Sequence, residues 1–364
     1  MKAALLYRII FAFMIAPILL TAANNADNKG KHTKEKKITK EFQVNTNATI
    51  EVDNSYGNLD IVTWDENRVV FEITITTNGS NEEKVQKKLD DITVVFDASS
   101  SLVSATTKFN KNGSSSWWKW NTSGNVNMKI NYVIKMPMSN SVNLSNDYGS
   151  INLDKLDGKA IISCDYGKIT TKELMAENNK LSFDYTQNSY FEYINSGEIN
   201  ADYSGFTVAK AKKLIIVADY TKSVVEIAED VTYNCDYGSI TIDKVNSVTG
   251  NGDYLTTRLG DVYQDVSLKA DYGSIKIDRM TANAGDLDIK SNYVGITIGY
   301  DSGYNFNFDI DLEYASLRYE DVLEFNKKNV ESSSKYYSGY RGNSSSGNTV
   351  KINSDYGSVS LNKN

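Results

Sequence analysis

The chain has 364 residues, a net charge of −7, 24 tyrosines, 23 glycines, two prolines, two cysteines and one histidine. The negative balance argues against nucleic-acid binding, which needs a basic face, and the lone His32 removes His-based triads and His-rich metal sites. Scarce proline and abundant tyrosine favour long strands over helices or disorder.

Residues 1–23 read as a secretory signal peptide. Lys2 and Arg8 form a basic start, Ile9 to Leu20 an apolar run, and Thr21-Ala22-Ala23 a small-residue cleavage point. The rival reading is a membrane anchor. The run falls short of the roughly 20 residues a spanning helix needs, and Pro17 interrupts it. Export is therefore expected, to the periplasm, the outer cell surface or the medium, with no spanning segment after signal removal. Residues 24–40 carry six lysines, from Lys29 to Lys40, and read as a solvated basic linker.

Residues 41–138 are β-rich but irregular, and are expected to form an N-terminal cap and the first coils of a repeat array. Arg68 to Thr76 and Val126 to Met136 alternate with period 2. Asn81 to Ile92 predicts one short helix with Val85, Leu89 and Ile92 on one face. Asn110 to Gly124 holds Trp117, Trp118 and Trp120 amid Ser, Asn and Gly, which predicts a surface loop. An exposed tryptophan cluster marks a contact for protein, sugar or a membrane interface. The alternative is a lid folded over one end of the fold.

Self-similarity dominates residues 139–364. Asp147-Tyr148-Gly149-Ser150-Ile151 returns as Asp165-Tyr166-Gly167-Lys168-Ile169, Asp236-Tyr237-Gly238-Ser239-Ile240, Asp271-Tyr272-Gly273-Ser274-Ile275 and Asp355-Tyr356-Gly357-Ser358-Val359. Weaker copies centre on Tyr185, Tyr203, Tyr220, Tyr254, Tyr293 and Tyr314, and Tyr56 is an isolated early one. Successive spacings from Tyr148 to Tyr314 run 18, 19, 18, 17, 17, 17, 18, 21 and 21, and the last gap is 42. A period near 18 predicts an all-β, single-stranded β-helix (a β-solenoid) with right-handed coiling as the expectation.

Parity within the repeat supports two short strands meeting at a corner. Apolar residues stand four before each tyrosine (Leu144, Ile162, Ile216) and three and five after it (Ile151, Leu153, Ile240, Ile242), with small residues two before. Asp-Tyr-Gly reads as the turn between the strands, with Asp accepting from the backbone two residues on and Gly taking positive φ. The tyrosines are expected to stack at the corner with their hydroxyls in solvent. Cys164 and Cys235 share one position four coils apart, ~19 Å at the strand spacing, which is too far for a disulfide. They are read as core. The column Asp147, Asp165, Asp184, Asp202, Asp219, Asp236, Asp253, Asp271 and Asp355 offers stacked carboxylates to Ca²⁺. The glycine-rich nonapeptide of calcium-binding β-rolls is missing, so turn capping is preferred.

A second surface loop is expected at 326–348, with Tyr336, Tyr337 and Tyr340 as contact candidates and a lid as the alternative. Phosphate loops, zinc spacings and nucleophile elbows are not found, and no cofactor is expected. A polysaccharide-active β-helix enzyme is the catalytic rival. Its acidic pairs would lie in a wide groove, for which coils of 18 residues are short.

Glu51-Val52-Asp53-Asn54-Ser55-Tyr56-Gly57-Asn58-Leu59, then Thr63-Trp64-Asp65, the Met136-Pro137 step and the later Asp-Tyr-Gly-Ser-Ile units resemble the putative-adhesin domains of exported bacterial proteins. The resemblance spans roughly residues 41–364. It implies a single-stranded β-helix at the cell envelope and adhesion, and no catalytic residues carry over from it. The Trp and Tyr loops look like additions to the family pattern. The expected function is therefore that of a non-catalytic adhesin presenting a repetitive surface to a protein or glycan, with a purely structural or sensory envelope role as the alternative.

Overall fold

The computed structural model describes residues 30–110, 126–320 and 323–364; the expected signal peptide and Trp117, Trp118 and Trp120 lie outside them. The described residues form 25 strands and one helix, and the strands join a single sheet that winds as a β-solenoid.

One coil shows the rule. Gly205–Asp219 is a single bent strand. Its first half pairs in parallel with residues 189–194 of the coil before and 222–228 of the coil after. Its second half pairs with 196–202 and 230–236. Each coil thus lays one segment on each of two faces. The ladder runs unbroken through the corner, where Tyr203 N–H donates to Asp219 O and Tyr220 N–H to Asp236 O, both at 3.0 Å.

Between the faces lie the expected apolar columns. Leu144, Ile162, Leu181, Ile199 and Ile216 stack in register and are buried. Each such side chain contributes about 1.5–3 kcal/mol of transfer free energy. The column continues through Tyr233 and Gly250 to Leu268, which breaks the apolar pattern. The break is compensated: the Tyr233 ring fills the space above Gly250 that a Cβ would occupy, and its hydroxyl meets Thr257 Oγ1 at 3.2 Å. Cys164 and Cys235 are buried and unbridged, as expected of core residues. Burial pushes both thiols up to about 12.

At the corners the structure corrects the turn chemistry. Tyrosine, not glycine, takes the left-handed backbone, with φ between 48° and 64° at all twelve copies. That conformation costs a non-glycine residue roughly 1–2 kcal/mol. Each ring recovers about 0.5–1.5 kcal/mol against each neighbour it stacks on. The next residue, glycine in the strongest copies, is needed for a different reason. A Cβ on Gly167 would overlap the carbonyl oxygen of Gly149 in the coil beneath and lie 2.9 Å from Cys164 Sγ.

Both ends are capped, and both caps reverse the order of the coils. The Tyr56 coil (Thr49–Ser55 and Leu59–Trp64) is not isolated. It pairs with Ser141–Asp147 and Ser150–Leu153 on one side. On the other side it pairs with Leu102–Phe109 and Val126–Pro137. Arg68–Gly79 then runs antiparallel to Val126–Pro137. The predicted helix is present over Glu82–Asp90; Asn81 caps it, accepting from Lys84 N–H at 2.9 Å, and Val85 and Leu89 are buried.

The basic linker expected at residues 24–40 is instead a strand over its part from 32 to 40. His32–Gln43 is a full strand, antiparallel to Arg68–Gly79. Ile38 and Phe42 pack on the core, and Lys34 Nζ lies 2.7 Å from Glu82 Oε1. Lysines hid the alternation because their aliphatic stems cover apolar surface while the ammonium stays wet. An outer edge strand studded with lysine also resists pairing with another chain.

At the far end, the 42-residue gap is not a skipped unit. Thr349–Asp355 and Ser358–Lys363 slot between the Tyr293 coil and the Tyr314 coil, pairing in parallel with both. The chain leaves a gap at residue 300, lays the next coil beyond it, and returns to fill it. The surface loop expected at 326–348 is likewise corrected. Glu324–Val330 and Ser334–Arg341 form an antiparallel hairpin, and Ser334–Arg341 pairs with Phe306–Glu313. Arg341 is buried and pins the hairpin, donating to Ser302 O at 2.8 Å and Tyr304 O at 3.0 Å.

Candidate functional site

The corner tyrosines form one continuous stripe. In spatial order they are Tyr56, Tyr148, Tyr166, Tyr185, Tyr203, Tyr220, Tyr237, Tyr254, Tyr272, Tyr293, Tyr356 and Tyr314. Neighbouring centroids are 4.7–5.2 Å apart and the planes agree within 8°. The stripe runs roughly 50 Å at the strand spacing. Every ring stays 41–55% exposed. Parallel planes at this spacing leave each face largely against the next ring, so solvent meets edges and hydroxyls.

Beside the rings runs the acidic row, one residue before most of the tyrosines. The aspartates do not cap their own turns as expected. Five of them reach to the next coil instead: Asp165 Oδ1 accepts from Asp184 N–H at 3.2 Å, Asp184 Oδ1 from Asp202 N–H at 3.1 Å, and Asp202 Oδ1 from Asp219 N–H at 3.1 Å. Asp219 Oδ1 and Asp236 Oδ1 continue the ladder to Asp236 and Asp253 N–H at 3.2 and 2.9 Å. The reason is geometric. The corner backbone spends its donors on the neighbouring coil, so the side chain finds its partner there too.

The row is not neutralised. Elsewhere on the solenoid, ion pairs zip adjacent coils, such as Lys155–Glu173 at 2.9 Å, Lys172–Asp154 at 2.6 Å and Arg279–Asp261 at 2.9 Å. Among the described residues, no ion pair includes a member of the row. Burial, and after it the adjacent carboxylates, raises the Asp147, Asp184 and Asp253 carboxyls above the usual range. Burial and the adjacent phenols do the same to Tyr166, Tyr203 and Tyr237.

The carboxyl shifts give a signed expectation. A carboxyl raised in the folded state binds its proton more tightly there, so its stabilising contribution is complete below the unfolded value of about 3.9 and fades as pH rises through the folded one. Replacing Asp147, Asp184 and Asp253 with Asn, which keeps an acceptor oxygen, should remove that component. Urea melts from pH 3.5 to 7 check it: the wild-type chain should lose more stability than the triple variant across the carboxylate range. Parallel curves would refute the shift.

The residues singled out from sequence fare differently. Trp117, Trp118 and Trp120 lie outside the described residues. Tyr336, Tyr337 and Tyr340 sit in the cap hairpin rather than on a loop. Tyr337 is buried and packs 6.0 Å from the Phe325 ring. Tyr336 donates to Asp309 Oδ2 at 2.8 Å beneath Lys327. Tyr340 stands in register between Asn307 and Glu324. The stripe itself was not among the contact candidates from sequence. Its signal is the recurrent pairing of an acid with a solvent-facing tyrosine, which turn chemistry alone also accounts for. Among the described residues no group of three or more His, Cys, Asp or Glu is arranged to hold a metal ion, and no helix is long and apolar enough to cross a membrane.

No protein-family model and no curated protein matches the chain. Solved structures do. A putative adhesin from Parabacteroides merdae ATCC 43184 is 14% identical, with 92% of this chain and 98% of that one covered and a TM-score of 0.33. A putative adhesin from Parabacteroides distasonis ATCC 8503 is 11% identical over 90% and 97%, with a TM-score of 0.29. A putative cell adhesion protein from Clostridium sporogenes ATCC 15579 is 12% identical over 91% and 100%, with a TM-score of 0.20.

Proposed function

We propose that this protein is an exported, non-catalytic adhesin that holds its partner along the tyrosine–aspartate stripe. The observation that carries the reading is the stripe itself: twelve half-exposed rings in one line, beside carboxylates that no cation of the described residues neutralises. Most proteins bury such aromatic area or break it up, and a continuous exposed patch is the usual mark of a contact surface. Edges and hydroxyls suit a protein or polar partner better than a sugar ring, which stacks on an aromatic face. The tryptophan run at Trp117, Trp118 and Trp120 stands beside it as a second contact, on its sequence alone.

The test substitutes Tyr203, Tyr220 and Tyr237 together with Asn, which removes the rings yet tolerates the left-handed backbone. With the fold checked by circular dichroism, binding of the purified protein to cell-envelope surfaces should fall about thirtyfold, the size of one hot-spot loss of about 2 kcal/mol. Undiminished binding by the folded variant would sink the proposal.

A further inference from the structure

We infer that the tyrosine stripe is a site of oxidative cross-linking, at which neighbouring rings join as dityrosine and staple each coil to the next. This goes beyond the contact reading and needs no partner. The chemistry requires two phenols side by side. A one-electron oxidant takes an electron from a phenol, the hydroxyl proton leaves to solvent, and the unpaired electron spreads onto the ring carbons ortho to oxygen. Two such radicals form a carbon–carbon bond between ortho carbons, and the hydrogens on those carbons then move to the oxygens. With hydrogen peroxide and a haem peroxidase as the oxidant, two phenols and one peroxide give one biphenol and two waters.

The first ground is proximity. Tyr203, Tyr220 and Tyr237 stack with centroids 4.8 and 4.9 Å apart and planes within 4°. Radicals on separate chains must meet by diffusion. Here the fold holds the second ring against the first, which makes the coupling intramolecular. Hydrogen-atom exchange between identical neighbours has no net free-energy cost, so radicals formed at distant rungs can become adjacent. The second ground is access. Every stripe ring is half-exposed, with its edge and hydroxyl toward solvent, and that edge carries the ortho carbons. Exposed side chains change rotamer in picoseconds to nanoseconds, so a pair can swing from the stack into the edge-to-edge pose that the new bond needs. Off the stripe, Tyr190 and Tyr263 are similarly exposed, but among the described residues every stacked tyrosine pair belongs to the stripe. The third ground is what the bonds would join. From Tyr148 to Tyr293 they close loops of 17–21 residues, whereas Tyr56–Tyr148 and Tyr293–Tyr356 link positions 92 and 63 apart. These long loops tie down the two ends where the order of coils departs from sequence. A covalent cross-link stabilises by restricting the unfolded chain, and more so for a longer loop.

Treating the dilute full chain with hydrogen peroxide and a haem peroxidase tests this, with dityrosine fluorescence, gel mobility and mass mapping of linked peptides as readouts. The wild-type chain should form dityrosine within monomers, mapped to stripe neighbours such as Tyr203 and Tyr220. Two variants each remove six phenols yet keep every ring and its stacking. The alternating set, Tyr148→Phe, Tyr185→Phe, Tyr220→Phe, Tyr254→Phe, Tyr293→Phe and Tyr314→Phe, leaves no two stripe phenols adjacent. Its within-chain yield should fall about tenfold or more, because coupling is again left to diffusion. The block set, Tyr237→Phe, Tyr254→Phe, Tyr272→Phe, Tyr293→Phe, Tyr356→Phe and Tyr314→Phe, leaves five of the eleven neighbouring pairs and should lose about twofold. Oxidised wild-type monomer should unfold at higher urea than untreated monomer, and the oxidised alternating variant should show no such shift. If a sixfold variant fails to fold, Tyr203→Phe alone replaces it: links to Tyr185 and Tyr220 through residue 203 should vanish while the Tyr237–Tyr254 link persists. Equal losses in both sets, links formed mainly between chains, or links mapped mainly to Tyr190 and Tyr263 would each overturn the inference. If no within-chain link forms while surface adhesion depends on Tyr203, Tyr220 and Tyr237, the contact surface stands and only the cross-linking falls.

Discussion

Deleting residues 349–364 is expected to undo the C-terminal end of the solenoid. The deleted coil is an interior rung although it is last in sequence. It pairs with residues 287–292 and 295–300 on one side and with 307–313 and 316–319 on the other. It buries Val350, Ile352, Val359 and Leu361, on the order of 6–12 kcal/mol of transfer free energy at the usual value per side chain. It also supplies Tyr356, which bridges Tyr293 and Tyr314 in the stripe. Without it the Tyr314 coil and the cap hairpin have no sheet to join, and the Tyr293 coil becomes a bare edge. Hydrogen exchange should show residues 306–341 unprotected while the central coils stay protected. Light scattering should show concentration-dependent association, since an uncapped edge recruits other chains. A monomeric truncation with 306–341 still protected would contradict this topology.

The Tyr233–Gly250 pair carries the second large effect. Tyr233→Ile leaves a cavity above Gly250 and strands the Thr257 hydroxyl, and should cost about 3 kcal/mol, the range for emptying a buried aromatic site. Gly250→Ile drives a branched side chain into the Tyr233 ring and should cost about as much or more through overpacking. Together the two substitutions rebuild the column that Ile216 and Leu268 occupy on either side. The double variant should then recover most of the loss, with a coupling energy of about 2–3 kcal/mol in a urea-melt cycle. Additive losses would mean that the two residues do not share one space.

The solenoid, its period, the buried parity and the state of Cys164 and Cys235 were legible in sequence for one physical reason. When coils stack in register, each interior position meets the same environment in every turn, so the requirement is written many times over. The predicted helix was legible too, because Asn81 and the Val85–Leu89 face act locally. Where an environment occurs once, that redundancy is lost. His32–Gln43 looked like a linker because its lysines pair with one particular strand and helix. The segment around Tyr336 looked like a loop because serine and glycine there serve a hairpin that seals an end.

Order along the axis is the matter that sequence could not express. Tyr56 and Tyr148 are 92 positions apart and stack at 5.2 Å, and Tyr314 stacks on Tyr356 rather than on Tyr293. Spacing in sequence counts coils but does not say on which side of the growing sheet each is laid. The repeat by itself determined that tyrosines would line the corner and that an acid would precede most of them. Only the tertiary structure decided that they form one uninterrupted stripe, that tyrosine rather than glycine bears the left-handed turn, and that each aspartate of the ladder reaches to the next coil. Those choices belong to contacts between coils: a carbonyl of one coil lies where a glycine Cβ of the next would be, and a backbone N–H of one coil lies within reach of a carboxylate of another.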